Sequence, residues 1–178
     1  QCILFTSGTD SVPKAVQLTF INIYHSALSW NKIVNFSYKD NYLNVLPIHH
    51  ISGLSIFFRA LYCNFNLFSF KYDKKNILKI IDKYNINCTS LVPKILIDLI
   101  KKQEAIYILK KFKIIIIGGD KINEKIFNFL NINNINGYIS YGLTETSSGI
   151  SGYFIKDEKN YIPGYLGSCH PGSSILIE

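Results

Sequence analysis

Residues 113–119 read KIIIIGG. Four consecutive isoleucines leave no alternating polar face for solvent, so the spacing predicts a strand over 113–117 buried on both sides. A strand of that kind needs helices above and below it. The rest of the chain supplies them. Apolar runs of strand length are predicted at 2–5, 42–46, 67–70, 88–92 and 138–141. Helical patterns are predicted at 19–30, 54–62, 74–84, 94–102 and 123–130, the first capped by Thr19 and the last by Asn123. Pro47 and Pro93 close two of the strands. Residues 149–174 are rich in Gly, Ser and Tyr and read as loops and short antiparallel strands. The alternation of strand and helix predicts an α/β fold with a mostly parallel sheet flanked by helices. Ligands on such sheets lie at the carboxyl ends of the strands.

Composition narrows the class. The 178 residues are 48% hydrophobic and 14% aromatic, enough for a domain with a real core and inconsistent with disorder. The net charge of +7 comes from lysines scattered among Ile and Asn, such as Lys71, Lys74, Lys75, Lys79 and Lys83. Together with the absence of Met, this reads as an AT-rich coding bias rather than a nucleic-acid patch. No stretch reaches the roughly 20 apolar residues of a membrane span. Cys2, Cys63, Cys88 and Cys169 form no CxxC pair and have no zinc-like spacing to His, so buried free thiols in a reducing compartment are expected. The chain opens on a strand without Met and closes on another apolar run, so a segment of a longer protein is expected.

Polar segments follow four of the predicted strands: TSGTDSVPK at 6–14, PIHHISG at 47–53, GGD at 118–120 and YGLTE at 141–145. Four such segments at four strand ends are expected to converge on one site. The first departs from the GxxxxGK[ST] phosphate loop, because Lys14 follows Pro13 and precedes Ala15. TSGTDSVPKAV instead resembles the TSGTTGxPK signature of the acyl-adenylate-forming (AMP-binding) superfamily, which includes acyl-CoA synthetases, peptide-synthetase adenylation domains and luciferases. YGLTE resembles that family's YGxTE, and GG at 118–119, LPIHH at 46–50 and GYLGSCHPG at 164–172 follow in family order. SVPKAVQLTFINIYHSA and NVLPIHHISGLSIFFRAL look most like the o-succinylbenzoate–CoA ligases of menaquinone and phylloquinone synthesis.

The resemblance implies that residues 1–178 are part of the large N-terminal domain of such an enzyme, the segments before it and the small C-terminal domain lying outside. It implies ATP and Mg²⁺ as cofactors, CoA as co-substrate, a small carboxylic acid as partner, and a cytoplasmic or plastid setting. It implies that Thr6, Ser7, Gly8, Thr9 and Lys14 cradle pyrophosphate. Backbone amides and hydroxyls suit that work. Asp10 and Ser11 stand where the family has Thr and Gly. An acid there repels a triphosphate unless it pairs with Lys14 or sits near the metal.

By the same resemblance Tyr141 stacks on adenine, Gly142 and Thr144 meet the adenylate, Glu145 holds Mg²⁺, and Gly118 and Gly119 let the acyl-adenylate pass close to the backbone. His50 borders the acid pocket, with Ser52, Gly53, Ser55 and Ser140 shaping it, and His49 replaces an aromatic packing residue. Arg59 is left open between the second carboxylate of a dicarboxylic substrate and a structural ion pair. His25 and His170 are read as structural, and Asp120 as unspecific. The catalytic set is therefore Lys14, His50, Thr144 and Glu145. The competing readings are another acyl- or aryl-acid–CoA ligase, an adenylation domain, a non-catalytic remnant and, distantly, a nucleic-acid module. The isolated segment is expected to be inactive.

Overall fold

The computed structural model describes residues 2–6 and 13–176. In chain order the elements are β1 (Cys2–Thr6), β2 (Lys14–Leu18), α1 (Phe20–Val34), β3 (Asn41–Asn44), α2 (Ile51–Cys63) and β4 (Asn66–Ser69). They continue with α3 (Ile77–Lys83), β5 (Cys88–Leu91), α4 (Pro93–Ile100), α5 (Ala105–Leu109), β6 (Ile114–Ile117) and α6 (Glu124–Ile132). The last are β7 (Gly137–Leu143), β8 (Ser148–Phe154) and β9 (Ser168–Cys169).

Seven strands form one sheet in the order β4-β3-β5-β6-β7-β8-β9. The pairs from β4 through β7 are parallel, and β8 and β9 add antiparallel pairs at one side. The four isoleucines of β6 are each at most 4% exposed and divide between the two faces. Ile115 and Ile117 pack with buried residues of α3, α4, α5 and α6. Ile114 and Ile116 pack with Ala27, Trp30 and Val34 of α1 and Ile56 of α2. The result is three layers, as the isoleucine run requires.

Helix ends follow local chemistry. Thr19 and Asn22 form a reciprocal capping box at the start of α1. Asn35, Asn64, Asn85 and Asn134 all have φ between 49° and 54°, and the first two end α1 and α2. Asparagine tolerates the left-handed conformation better than other residues with a Cβ. At 74–84 the helix begins only at Ile77, because the Asp73 carboxylate accepts from the Lys75 amide and the Asn76 side chain and ties the preceding turn.

Two features differ from the sequence reading. β1 does not join the large sheet; it pairs antiparallel with β2 in a separate two-stranded ladder, Thr6 lying opposite Lys14. The alternation in KAVQL at 14–18 is what makes β2, and it was absorbed into the phosphate-loop motif. Leu4 and Leu18 seat this hairpin on Ile23 of α1. The second is α5, a short helix whose Ala105 and Leu109 are fully buried. The cysteines are free, but only Cys63 and Cys88 are buried; Cys169 is exposed. Among the described residues no helix is long and apolar enough to cross a membrane.

At the end of the sheet opposite the polar loops, Asp40 is 3% exposed and joins three segments. Its carboxylate accepts from Lys113 Nζ at 2.7 Å, the Ser37 amide at 2.8 Å and Asn87 Nδ2 at 3.0 Å. Burial works against the charge, but Lys113, Ser37 and Asn87 outweigh it, and the pKa falls below the ordinary value. A depressed carboxylate contributes stability that is present above its unfolded pKa and lost as pH falls through the folded one. Asp40→Asn should therefore lower the unfolding free energy by about 1–3 kcal/mol at pH 7. The gap from the unsubstituted protein should close as pH drops below about 4, read by denaturant titration across pH.

Candidate active site

The carboxyl ends of β3, β5, β6 and β7 open onto two cavities. One, of about 700 Å³, is lined by Leu46 and Pro47 after β3, Leu91 and Val92 at β5, Ile116 and Gly118 at β6, and Ser140 in β7. His50, Ser52 and Arg59 enter it from α2 and the turn before it, and Trp30 from α1. The second, of about 590 Å³, lies beyond the β6–β7 edge. Tyr141, Tyr153, Tyr161 and Tyr165 give it a largely aromatic wall, with Asp120 also lining it. Gly119, Ser140, Gly142 and Leu143 line both.

That shared wall has no room to spare. A Cβ on Gly118 would lie 3.0 Å from the Ser140 carbonyl oxygen, and one on Gly142 would overlap the Ser148 carbonyl. Gly119 has φ +81°, which suits glycine. The β7–β8 turn carries Thr144 and Glu145. Its shape is held by Thr146 Oγ1, which accepts from the Leu143 amide at 2.8 Å and lies 2.7 Å from the Ser148 carbonyl. Ser147 takes a positive φ of 57° in this turn.

The expected residues divide. His50, Ser52, Gly118, Gly119, Ser140, Gly142 and Thr144 come together around the first cavity. Tyr141 lines the second and is 36% exposed. Glu145 is exposed and lines a third groove of about 420 Å³, with His25 and Lys32 of α1. Gly53 lines neither cavity. Its Cβ position is occupied by the Pro47 and Leu46 carbonyls, so it lets the start of α2 press on that turn. His49 is exposed, with its ring centroid 4.4 Å from that of His50. Thr6 and Lys14 face each other as the last pair of the β1–β2 ladder, the pair nearest in sequence, with Cys2 and Leu18 at the far end. Ser7, Gly8, Thr9, Asp10 and Ser11 lie outside the described residues.

The strongest feature of the first cavity is Arg59. It is 3% exposed, and no carboxylate pairs with it among the described residues. Nη2 lies 3.3 Å from Ser148 Oγ and 3.5 Å from Ser55 Oγ, and Nη1 is buried without a partner. Its Cζ sits 4.5 Å from the centre of the Trp30 ring. Burial pushes its pKa down, though an arginine keeps its charge at any physiological pH. A buried cation without an anion is costly unless a ligand supplies one. Tyr42 and Ser90 share a hydroxyl hydrogen bond beside it, and burial raises the Tyr42 pKa. Trp30 and the Tyr161–Leu166 wall escaped the sequence reading: Trp30 looked like an ordinary helical apolar residue, and Tyr161–Leu166 like a loop.

Glycine backbone thus lies at the strand ends where the two cavities meet. The whole chain, residues 1–178, matches the AMP-binding enzyme family. The chain belongs to that family. Among curated relatives, the 2-succinylbenzoate–CoA ligase of Staphylococcus aureus (strain MSSA476) is 38% identical over 147 residues, 82% of this chain and 30% of the relative. The Bacillus subtilis o-succinylbenzoate coenzyme A synthetase, solved in complex with ATP and a magnesium ion, superposes with a TM-score of 0.85 at 26% identity. That match covers 94% of this chain and 35% of that one. The Escherichia coli enzyme, bound to an OSB-AMS analogue, gives a TM-score of 0.79 at 26% identity over 99% of this chain and 36% of that chain. This AMP-binding chain thus spans about a third of the length of these relatives.

Gly142 should be intolerant of any side chain. Gly142→Ala, made in the intact protein, should cost about 1–3 kcal/mol of stability by denaturant unfolding, because the obstructing atom is backbone.

Proposed function

We propose that the intact protein activates a carboxylic acid with ATP and passes the acyl group to coenzyme A, and that the acid is o-succinylbenzoate. The observation that carries the substrate is Arg59, a buried cation without a carboxylate partner among the described residues, in the wall of the cavity that would hold the acid. A dicarboxylic acid has one carboxylate to react and one to meet that charge. The likeness to 2-succinylbenzoate–CoA ligases and synthetases supports the same acid.

The chemistry runs in two steps. A carboxylate oxygen attacks the α-phosphorus of ATP, the bond from that phosphorus to the bridging oxygen breaks, and pyrophosphate leaves. The thiol sulfur of CoA then attacks the acyl carbon, AMP leaves, and the thiol proton is released. Neither step needs a nucleophilic side chain; positioning and charge neutralisation suffice. His50 at the cavity mouth would orient the reacting carboxylate. Gly118, Gly119 and Gly142 would let the mixed anhydride lie across the wall the two cavities share. Tyr141 would offer its ring to the base in the second cavity, Thr144 a hydroxyl to the phosphate, and Lys14 a cation to the pyrophosphate; the sequence resemblance gives Thr6, Ser7, Gly8 and Thr9 the same task.

Among the described residues no three His, Cys, Asp or Glu side chains gather as a metal site. That fits Mg²⁺ delivered on a triphosphate, which takes most of its oxygens from phosphate and water and one or two from protein. Glu145, exposed on the β7–β8 turn, would supply the carboxylate. The bound ion would neutralise charge on the phosphates.

The test is carboxylate-dependent ATP–pyrophosphate exchange by the full-length protein, with o-succinylbenzoate, benzoate and a fatty acid in parallel. Exchange with o-succinylbenzoate at least about tenfold faster than with the others is the expected result, the scale a satisfied buried charge confers. Exchange with a different acid would keep the chemistry and discard the substrate. No exchange from folded protein would leave a non-catalytic remnant.

A further inference from the structure

One buried histidine plays no part in the chemistry above. His170 is 2% exposed, in the turn after β9. Its amide donates to the Ile150 carbonyl at 2.7 Å, and its own carbonyl accepts from the Ser173 amide at 2.9 Å. The ring therefore has a fixed origin. Nε2 lies 2.9 Å from the hydroxyl of Tyr138 in β7. The phenol and the imidazole nitrogen pair directly, and the tautomer of the ring sets which of the two donates. Burial first, and the charge of Arg59 second, pull the His170 pKa down to about 4, so the ring is neutral near pH 7.

What the ring touches connects it to the acid cavity. It meets the Trp30 indole edge-on, centroids 4.7 Å apart and planes at 78°. The indole has little freedom on its other sides. Tyr138 meets it at 5.6 Å, and Gly149 is so close that a Cβ there would lie 2.6 Å from an indole carbon. The opposite neighbour is Arg59, 4.5 Å from the ring centre. Ser148 and Ser55 stand off from the guanidinium at 3.3 and 3.5 Å, and the Tyr42 hydroxyl lies near it as well, so the indole is the restraint on its flat face.

We propose that His170 is a positioning residue for acid recognition: it fixes the Trp30 indole, and through it the place where Arg59 meets the distal carboxylate. This inference rests on the dicarboxylic reading above. The chain of contacts runs from the turn after β9 through β7 and α1 to α2, and its last two members, Trp30 and Arg59, line the cavity. The Tyr138 hydroxyl holds the imidazole, the imidazole holds the indole, and the indole's electron-rich face holds the cation.

The experiment uses the full-length protein and compares KM for o-succinylbenzoate with KM for benzoate in ATP–pyrophosphate exchange. His170→Phe keeps an aromatic ring against Trp30 and removes the nitrogen that meets the Tyr138 hydroxyl. It should raise the o-succinylbenzoate-to-benzoate KM ratio about tenfold, within the range of a displaced cation–π contact, with far less effect on kcat. His170→Gln, which restores a polar partner for Tyr138, should recover most of the ratio; a role through the aromatic ring alone would give the reverse order of Phe and Gln. An unchanged ratio in His170→Phe overturns the inference while leaving the substrate reading intact. If His170→Phe fails to fold, Tyr138→Phe serves, with the same shift expected and an unchanged ratio again overturning it. If the unsubstituted protein shows no preference for the dicarboxylic acid, the substrate reading fails, and His170 is judged on a crystal structure of a folded variant. A displaced indole and guanidinium support it; unmoved side chains overturn it.

Discussion

The constraint on which the structure rests is that β6 cannot face water on either side. Its isoleucines force a helical layer above and another below, and that in turn forces parallel strands joined by crossing helices. Once both faces are covered, the only exposed parts of the central strands are their ends. The polar segments that follow β3, β6 and β7 therefore collect at one end of the sheet. The opposite end is closed by Asp40, Lys113, Ser37 and Asn87, which fix the strand starts and leave the other rim to carry the site.

The site itself is a compromise between stiffness and charge. Its central wall is main chain, with Gly118, Gly119 and Gly142 admitting ligand where any side chain would collide or strain. Around it the two cavities differ in character. The first contains a desolvated guanidinium and hydroxyls; the second is walled by tyrosines. A polar group with no partner is costly inside a protein, and Arg59 Nη1, Trp30 Nε1 and His170 Nδ1 are three groups in one neighbourhood without a partner among the described residues.

Much of this was legible beforehand because it is local. Isoleucine runs, the Thr19 and Asn123 caps and the prolines at 47 and 93 act within a few residues, and they specify layers and strand ends. The glycine and histidine segments were legible because their chemistry is repeated at several strand ends. What stayed hidden is long-range. Nothing near Trp30 announces that it will lie under Arg59 of another helix and against His170 of a distant turn. The first segment misled for the opposite reason: its phosphate-binding grammar masked the five-residue alternation that pairs β2 with β1, away from the main sheet. The 161–166 wall was invisible because its tyrosines have no periodicity; their common role exists only once β7 and β8 bring Tyr141 and Tyr153 beside them.

The wall common to the two cavities has a consequence for descent. Because it is drawn in main chain, it is nearly blind to which side chains surround it. Substitutions at Trp30, Ser52 or Ser90 would alter what the first chamber accepts without moving the backbone that the two chambers share. Taste and junction are thus separately heritable, and lineages built on this frame are free to change diet while keeping the same kitchen.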